Sequence, residues 1–468
     1  MLSLHFWYSL AALFATGLAL VLSAHAVIVK REPRAAVLWL VVIWLLPFGG
    51  SVIYLLLGIN RIQRRAGTLG RPPLQTPTGS AASLPAQTAH AQLASLTGRI
   101  TAQPLLAGNA VRVLVNGEAA YPAMLAAIDA AEHSIALATY IFGNDRVGRR
   151  FADALAAAQA RGVAVRVLID NAGERYSWPS MVGVLRRRGL QVARFLPRFP
   201  AGLLTINLRN HRKLLLCDGR IAFTGGMNIR VHHLQDSRRR ATRDLHFELQ
   251  GPVVAQLQAI FAQDWAFSAG EMLQGPGWFP PLTPSGQIHA RAVADGPDED
   301  LEKLMWTLHG ALHSARESVR IMTPYFLPDR ALVAALDTAA LRGVAVEIVL
   351  PARNNLPYVH WAMLGQLWQV LHHGCRVYFT PGPFDHSKLM VVDRAWAFIG
   401  SANWDPRSLR LNFECNVECY DAALAGELHA LIGSRIASGR RYRLSDSAAR
   451  SLPVKLRDGL ARLFMPYL

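Results

Sequence analysis

An imidazole, an ammonium and a carboxamide occur twice in this chain at one spacing. The stretch HRKLLLCDGRIAFTGGMN (211–228) returns as HSKLMVVDRAWAFIGSAN (386–403), with His followed by Lys at +2, Asp at +5, Gly at +14, a small residue at +15 and Asn at +17. Lys213, Lys388, Asn228 and Asn403 are hydrogen-bond donors, and the small residues Gly226 and Ser401 let backbone approach closely, so the set suits the oxygens of a phosphate. Two such half-sites form a cradle for one phosphodiester, with His211 and His386 on opposite sides of phosphorus. One neutral imidazole can attack phosphorus and form a phosphohistidine. The other, protonated, gives its proton to the leaving alkoxide and then acts as a base on the incoming hydroxyl. Either order satisfies the chemistry. No metal and no cofactor is needed in this reading, because the lysines supply the positive charge. A lone His-x-Lys carries no information, but six matched positions repeated in one chain do.

The elements that hold these groups can be read from the same stretches. His211 and Lys213 are two apart on an extended segment and so face one side. Residues 213–217 and 220–224 flank a turn at Asp218-Gly219, and 389–392 and 395–399 flank one at Asp393-Arg394, which describes two hairpins. Asp218 lies at the far tip, roughly 16 Å from His211 at about 3.3 Å per residue. Geometry therefore assigns Asp218 and Asp393 to fixing the hairpins. Each imidazole also needs a carboxylate on its other nitrogen. The sequence offers Asp244, 33 residues after His211, and Glu414, 28 residues after His386, with Glu248 and Glu418 as rivals.

Further matches show that the duplication is general. AEHSIALATYIF (131–142) resembles ARESVRIMTPYF (315–326), and RGVAVRVLID (161–170) resembles RGVAVEIVLP (342–351). In each copy an Ala-rich helical stretch (120–132, 300–316) precedes an apolar strand, and a second (149–160, 330–341) precedes RGVAV and another strand. This alternation predicts two tandem α/β sandwich domains, 106–275 and 276–468, related by pseudo-twofold symmetry and packed face to face. Both half-sites lie in one chain, so one chain holds a whole active centre.

The 468 residues are 51% hydrophobic and carry a formal charge of +17. That length excludes a small disulfide scaffold, and Cys217, Cys375, Cys415 and Cys419 have neither disulfide-framework nor zinc-site spacing. A surface this basic seeks polyanions, either nucleic acid or an anionic bilayer. The first 60 residues favour the bilayer: 4–29 and 35–59 are apolar runs joined by KREPR, each longer than the roughly 20 residues that cross hydrocarbon. They predict a transmembrane hairpin. A cleaved signal peptide ending near Ala24-His25-Ala26 is the alternative, but the N-terminus has no basic residue and the apolar run is long for an h-region. The basic residues after the second run lean toward a cytoplasmic catalytic part. Residues 61–105, rich in Pro, Gly, Ser, Thr and Ala, read as a linker. The segment ARFLPRFPAGLLTINLRN (193–210), with Arg194, Arg198 and Arg209 among Phe195, Phe199, Leu203 and Leu204, suits a loop at the headgroups. At the C-terminus, Leu456, Leu460, Leu463 and Phe464 share one helical face, with Lys455, Arg457 and Arg462 elsewhere. Such a helix can lie on a membrane or pack on the second domain.

His211-x-Lys213-x4-Asp218 and His386-x-Lys388-x4-Asp393 resemble the paired HKD motifs of the phospholipase D superfamily. The membrane hairpin with KREPR, NHRK at 210–213 and GSANWDPRSLRLNFE at 400–414 are similar to the bacterial cardiolipin synthase family. That resemblance covers nearly the whole chain. It implies that His211, Lys213, Asp218, His386, Lys388 and Asp393 are the catalytic motif residues, with His211 as nucleophile and His386 as general acid and base. It also implies transfer of a phosphatidyl group between two phosphatidylglycerols, giving cardiolipin and glycerol, at the bacterial inner membrane. The partners implied are anionic phospholipids and the membrane, with no nucleic acid and no obligate protein partner. A phospholipase D hydrolase, a transphosphatidylase with another acceptor and a membrane-tethered nuclease are the rival activities.

Overall fold

The computed structural model describes residues 4–30, 33–46, 48–58, 84, 90–196, 208–236, 241–297 and 300–464. Its first repeat contributes strands β1 (Leu106–Val115), β2 (Ser134–Thr139), β3 (Ala164–Asp170), β4 (Gln191–Phe195), β5 (Arg209–Asn210), β6 (Leu214–Cys217), β7 (Ile221–Gly225), β8 (Thr242–Arg243) and β9 (Leu245–Gln250). The second contributes β10 (Ile288–Asp295), β11 (Ser318–Met322), β12 (Ala345–Pro351), β13 (Arg376–Thr380), β14 (Phe384–Asp385), β15 (Leu389–Val392), β16 (Trp396–Gly400), β17 (Asn412–Tyr420) and β18 (Arg440–Tyr442).

Pairing follows one order twice: β1-β9-β7-β6-β2-β3-β4 in the first repeat and β10-β17-β16-β15-β11-β12-β13 in the second. Parallel pairs β2–β3–β4 and β11–β12–β13 are separated in sequence by helices, as parallel crossovers require. The first crossover helices run Arg146–Ala160 and Arg330–Leu341, each capped by an aspartate, Asp145 or Asp329, whose carboxylate accepts first-turn N–H groups. Strands β2, β6 and β15 are buried along their whole length, which is why they read as continuous apolar runs rather than alternating ones. Each repeat has its own core, one including Phe151, Leu155 and Val167 and the other Leu336, Ile348 and Trp396.

The halves are not simply packed face to face. Antiparallel pairing of β1 with β10 (Leu106↔Ala290, Asn109↔Ile288) joins them edge to edge in one sixteen-stranded sheet. Two short parallel bridges also cross between repeats: β5 pairs with β17 (Phe413↔Asn210), and β14 pairs with β8 (Asp385↔Arg243). A duplicated sequence shows what is alike within each half but not which edges are left to pair, so this junction had no sequence signature.

Both motif hairpins form. Asp218 and Gly219 have φ of 54° and 60°, and Asp393 and Arg394 have 50° and 51°, so each tight turn needs two left-handed residues. The Asp218 carboxylate accepts the backbone N–H groups of Glu132, His133 and Ser134 at 2.7 to 2.9 Å. Asp393 does the same for Arg316, Glu317 and Ser318 at 2.8 to 2.9 Å. Each aspartate thus ties the hairpin tip to the start of the neighbouring strand, at the end of the hairpin remote from the histidine.

The N-terminal segment forms a unit of its own, and residues 197–207 lie outside the described residues. A helix over Leu4–Val29 packs on a second, Pro33–Leu45, through Ala19, Leu22, Ala26, Trp39 and Ile43. Trp44 Nε1 donates to Ser23 Oγ at 3.1 Å, and His25 Nδ1 meets Tyr54 OH at 2.8 Å. The expected second span, 35–59, is not one helix. It breaks after Leu45 and resumes as Gly49–Ile53 and a π-helical turn, Tyr54–Gly58. Gly50 lets the chain fold back, since a Cβ there would lie 2.0 Å from the Val42 carbonyl oxygen. Among the described residues, one helix, Phe6–Val29, is long and apolar enough to cross a membrane.

Two further expectations change. Residues 91–101 of the supposed linker form a helix, Ala91–Thr101, whose Leu93 and Ala94 enter the core of the second repeat. Arg291 Nη2 donates to the Ala94 carbonyl at 2.7 Å. Arg194 and Phe195, expected in a headgroup loop, belong to β4, where Arg194 pairs with Glu174 at 2.6 Å and Phe195 is buried. Arg209 lies on β5, while Arg198, Phe199, Leu203 and Leu204 lie outside the described residues.

Removing the Asp393 carboxylate leaves three backbone donors without it. Asp393→Ala should lower the stability of the full chain in detergent by about 3 to 4.5 kcal/mol, at about 1 to 1.5 kcal/mol per lost hydrogen bond. Urea unfolding measures it, and a loss below about 0.5 kcal/mol, the range of ordinary surface substitutions, would remove the hairpin role.

Candidate active site

His211 and His386 each sit in the extended link between a two-residue strand and a motif hairpin. The short parallel bridges decide where they point. Because β5 runs beside β17, the His211 N–H donates to the Phe413 carbonyl at 2.8 Å; because β14 runs beside β8, the His386 N–H donates to the Arg243 carbonyl at 2.8 Å. The residues that follow those carbonyls are Glu414 and Asp244. Each histidine is therefore clamped next to the carboxylate of the other repeat. His211 Nδ1 lies 2.9 Å from Glu414 Oε1, and His386 Nδ1 lies 2.9 Å from Asp244 Oδ2.

Asp244 and Glu414, expected as the orienting carboxylates, do pair with the two histidines, but exchanged relative to the order along the chain. Sequence distance suggested a partner in the same repeat, and the inter-repeat bridges override it. The rivals are occupied elsewhere: Glu248 pairs with Arg112, and Glu418 with Arg291 at 2.7 Å and with the Tyr420 hydroxyl at 2.9 Å. With Nδ1–H held by a carboxylate, Nε2 of each ring keeps its lone pair for phosphorus or its proton for an alkoxide.

Lys213 and Lys388 are both buried, and each Nζ donates to the carbonyl of its own motif histidine. Burial pulls both ammonium groups down against Asp244 and Glu414, to about 7 for Lys213, where Lys388 adds to the effect, and to about 8 for Lys388. Burial likewise lowers both imidazoles, His386 well below the ordinary range, where Lys388, Lys213 and His211 add to the effect. His386 is thus close enough to His211 and to both lysines to interact with them electrostatically. Formally the lysines and the two carboxylates cancel. A phosphodiester monoanion is then balanced by one imidazolium, which is the protonation state that the transfer chemistry needs.

The two half-sites are not copies. Glu414 accepts the Ser401 hydroxyl and the Asn412 amide (3.1 Å) besides His211, and its proton affinity is lowered despite burial through His211 and Lys213. Asp244 has Gly226 where Glu414 has Ser401. A Cβ at 226 would come within 2.2 Å of Asp244 Oδ1, so glycine is what admits the carboxylate. Burial raises Asp244. Gly226 and Ser401, expected to bind phosphate, therefore face the orienting carboxylates. Of the asparagines, Asn228 Oδ1 accepts the Ile141 N–H at 3.0 Å, and Asn403 Nδ2 reaches Ser408 Oγ at 3.2 Å; both are buried.

Several residues escaped the sequence reading. His233 is buried with its Nε2 accepting the Asn228 N–H at 3.3 Å and its Nδ1 3.8 Å from Asp244, and burial pushes its imidazole down to about 3. The second repeat has Ser408 at the matching place, so comparing the copies could not reveal it. Arg212 lies between the repeats, donating to Asp264 at 2.6 Å and to the carbonyls of Glu414 and Asp295. Tyr140 and Tyr325 stack edge-on against His211 and His386, at 5.4 and 6.3 Å between ring centres. They were visible in TYIF and TPYF as pattern, without an assigned role.

A duplicated α/β unit with paired His and Lys motifs at its junction is the architecture of the phospholipase D superfamily. In fold, the chain is similar to the phosphatidylserine synthase of Haemophilus influenzae, with a TM-score of 0.64 over 81% of this chain and all of that one at 14% identity. Residues 124–265 and 308–435 match the family described as cardiolipin synthase, PLD-like domain, and 17–58 match phospholipase D-nuclease N-terminal. Cardiolipin synthase A of Pseudomonas aeruginosa is 34% identical over 96% of this chain and 94% of its own. A cardiolipin synthase of Geobacillus kaustophilus is 32% identical over 94% and 90%. The chain belongs to the cardiolipin synthase family and is a phosphatidyltransferase.

The exchanged pairing has a kinetic signature. Glu414→Gln should resemble loss of His211, and Asp244→Asn loss of His386, with rates down about 100-fold or more, the scale of lost acid–base assistance. In a double-mutant cycle Glu414 should couple to His211 and not to His386; coupling within a repeat would contradict the geometry. The lysines set a pH limit. An ammonium with a lowered pKa is charged below that value and neutral above it, so kcat/KM on anionic vesicles should fall as pH rises through about 7 to 8. A flat profile to pH 9 would exclude the free-enzyme lysines as the charge source.

Proposed function

We propose that the site transfers the phosphatidyl group of one phosphatidylglycerol to a second through a phosphohistidine on His211, releasing glycerol and forming cardiolipin. The observation that carries this is the crossed pair of clamps, His211 with Glu414 and His386 with Asp244, which leaves two Nε2 atoms for one phosphorus. His211 Nε2 attacks phosphorus as the P–O bond to glycerol breaks, and His386 gives its proton to the departing alkoxide. The second phosphatidylglycerol then brings a hydroxyl to His386, which takes its proton as the oxygen displaces His211. Lys213 and Lys388, with donors from Asn228 and Asn403, offset charge on the equatorial oxygens.

The unequal half-sites favour this assignment over the swapped one. A firmly ionised Glu414 makes His211 the more basic nitrogen and so the better nucleophile, whereas the more depressed His386 is the stronger acid once protonated. The apolar N-terminal segment holds the enzyme on its substrate's bilayer, with the catalytic part in the cytoplasm, where the basic residues after residue 60 remain. Asp218 and Asp393 serve the reaction by holding the hairpins.

Reconstitution in phosphatidylglycerol vesicles tests the reading. Cardiolipin plus glycerol is expected; phosphatidic acid plus glycerol would make the enzyme a hydrolase. With a labelled donor bearing an activated leaving group, lipid should be trapped covalently on His386→Ala and not on His211→Ala. The reverse result would exchange the two histidines.

A further inference from the structure

The helix Leu452–Leu463 is amphipathic in the inverse sense for a domain helix. Leu452, Leu456, Leu460, Leu463 and Phe464 are each 59 to 70% exposed. The residue it buries is Asp458, fully inaccessible and paired with Arg450 and Arg457. On the same inward side, Arg457 stacks on Trp361 at 4.6 Å, and Arg462 reaches the Gly365 carbonyl at 3.4 Å. Helix and domain are thus joined by their polar groups, and the leucine stripe is turned outward. Leucines at i, i+4 and i+8 cover one face of a helix and bury against an apolar medium where one is offered. The helix packs on the second repeat, one of the two arrangements expected from the sequence, and keeps its apolar face exposed.

We infer that this face docks on the surface of an anionic lipid bilayer. The choice of partner rests on the membrane-enzyme reading above. Charge favours a bilayer over a second copy of the chain. From residue 440 to 464 there are seven Lys or Arg (Arg440, Arg441, Arg443, Arg450, Lys455, Arg457, Arg462) and two acidic residues, of which Asp458 is already paired, so two such faces repel. Beside the start of the helix lies a cavity of about 620 Å³ lined by Arg440, Arg450, His360 and Tyr442. Arg440, 70% exposed on its wall, offers a cationic donor to an anionic headgroup. Basic residues flanking an apolar helical stripe are the composition of a helix lying in the headgroup plane. Docking there gives the catalytic unit a second attachment, at the opposite end of the chain from the apolar N-terminal segment.

Leu460→Cys in the full chain provides the probe, because Cys217, Cys375, Cys415 and Cys419 are all buried and stay unlabelled. The protein, carrying an environment-sensitive nitrobenzoxadiazole label, is reconstituted into vesicles of equal phosphatidylglycerol and phosphatidylcholine, with and without shallow nitroxide lipids. Blue-shifted emission quenched about twofold or more is expected for a stripe at the headgroup–acyl boundary, with quenching weakened in pure phosphatidylcholine. Water-like emission overturns the inference, and so does blue-shifted emission that nitroxide lipids leave unquenched, which would mean that protein covers the face. Leu456→Glu with Leu463→Glu should abolish quenching while thermal unfolding is unchanged. Transfer activity is read separately. An active enzyme with an unquenched label ends the docking inference alone, and a quenched label on an inactive enzyme leaves it standing.

Discussion

The structure turns on the crossed carboxylates. An imidazole serves at phosphorus only if its tautomer and ring plane are held, and here the group that holds it always comes from the other repeat: Glu414 for His211 and Asp244 for His386. The cause is local and mechanical. Two-residue strands just before each histidine pair in parallel with the strand that carries the opposite carboxylate, so backbone hydrogen bonds from His211 to Phe413 and from His386 to Arg243 fix the side chains beside one another. Neither half can assemble a working histidine alone. The β1–β10 junction, the buried Arg212 and the hairpins tied down by Asp218 and Asp393 all keep this register.

Duplication supplied two alike half-sites, and small substitutions made them unequal. Ser401 donates to Glu414, whereas Gly226 only makes room for Asp244; His233 stands by Asp244, whereas Ser408 holds Asn403. The change at 226/401 touches the carboxylate directly, and the change at 233/408 also reaches the asparagine of its half-site. That is an economical way to separate a base from an acid, because the carboxylate's ionisation sets the basicity of the imidazole it holds. In the proposed mechanism, two buried lysines offset two buried carboxylates, and the charge of a bound phosphodiester draws a proton onto the second imidazole.

The apolar parts that lie outside the two cores follow a different logic. The N-terminal helix carries its side chains outward, with Leu13, Phe14, Leu20 and Val21 exposed, and the C-terminal helix does so with its leucines. Both are stable as helices because backbone bonds are satisfied internally, which allows their apolar faces to be left for a non-aqueous neighbour. Exposed apolar helices near both termini of the chain suit the proposed enzyme, whose substrate diffuses in two dimensions.

Much was legible in the residues alone. The duplication exposed the α/β class, the motif hairpins and the His, Lys and Asp positions, because matched spacing records which residues share a supersecondary unit. The helix Ala91–Thr101 was not legible: its Leu93 and Ala94 are too few to mark a periodic face, and their partners lie about two hundred residues away. The break in the second apolar run hid behind a hydropathy that does not register a local turn at Phe48-Gly49-Gly50. Asp244 and Glu414 could be named as the orienting carboxylates, since chemistry demanded an acid after each motif. Which histidine each would hold was a matter of strand pairing between repeats, and pairing depends on edges brought together in space, so tertiary structure alone decided it.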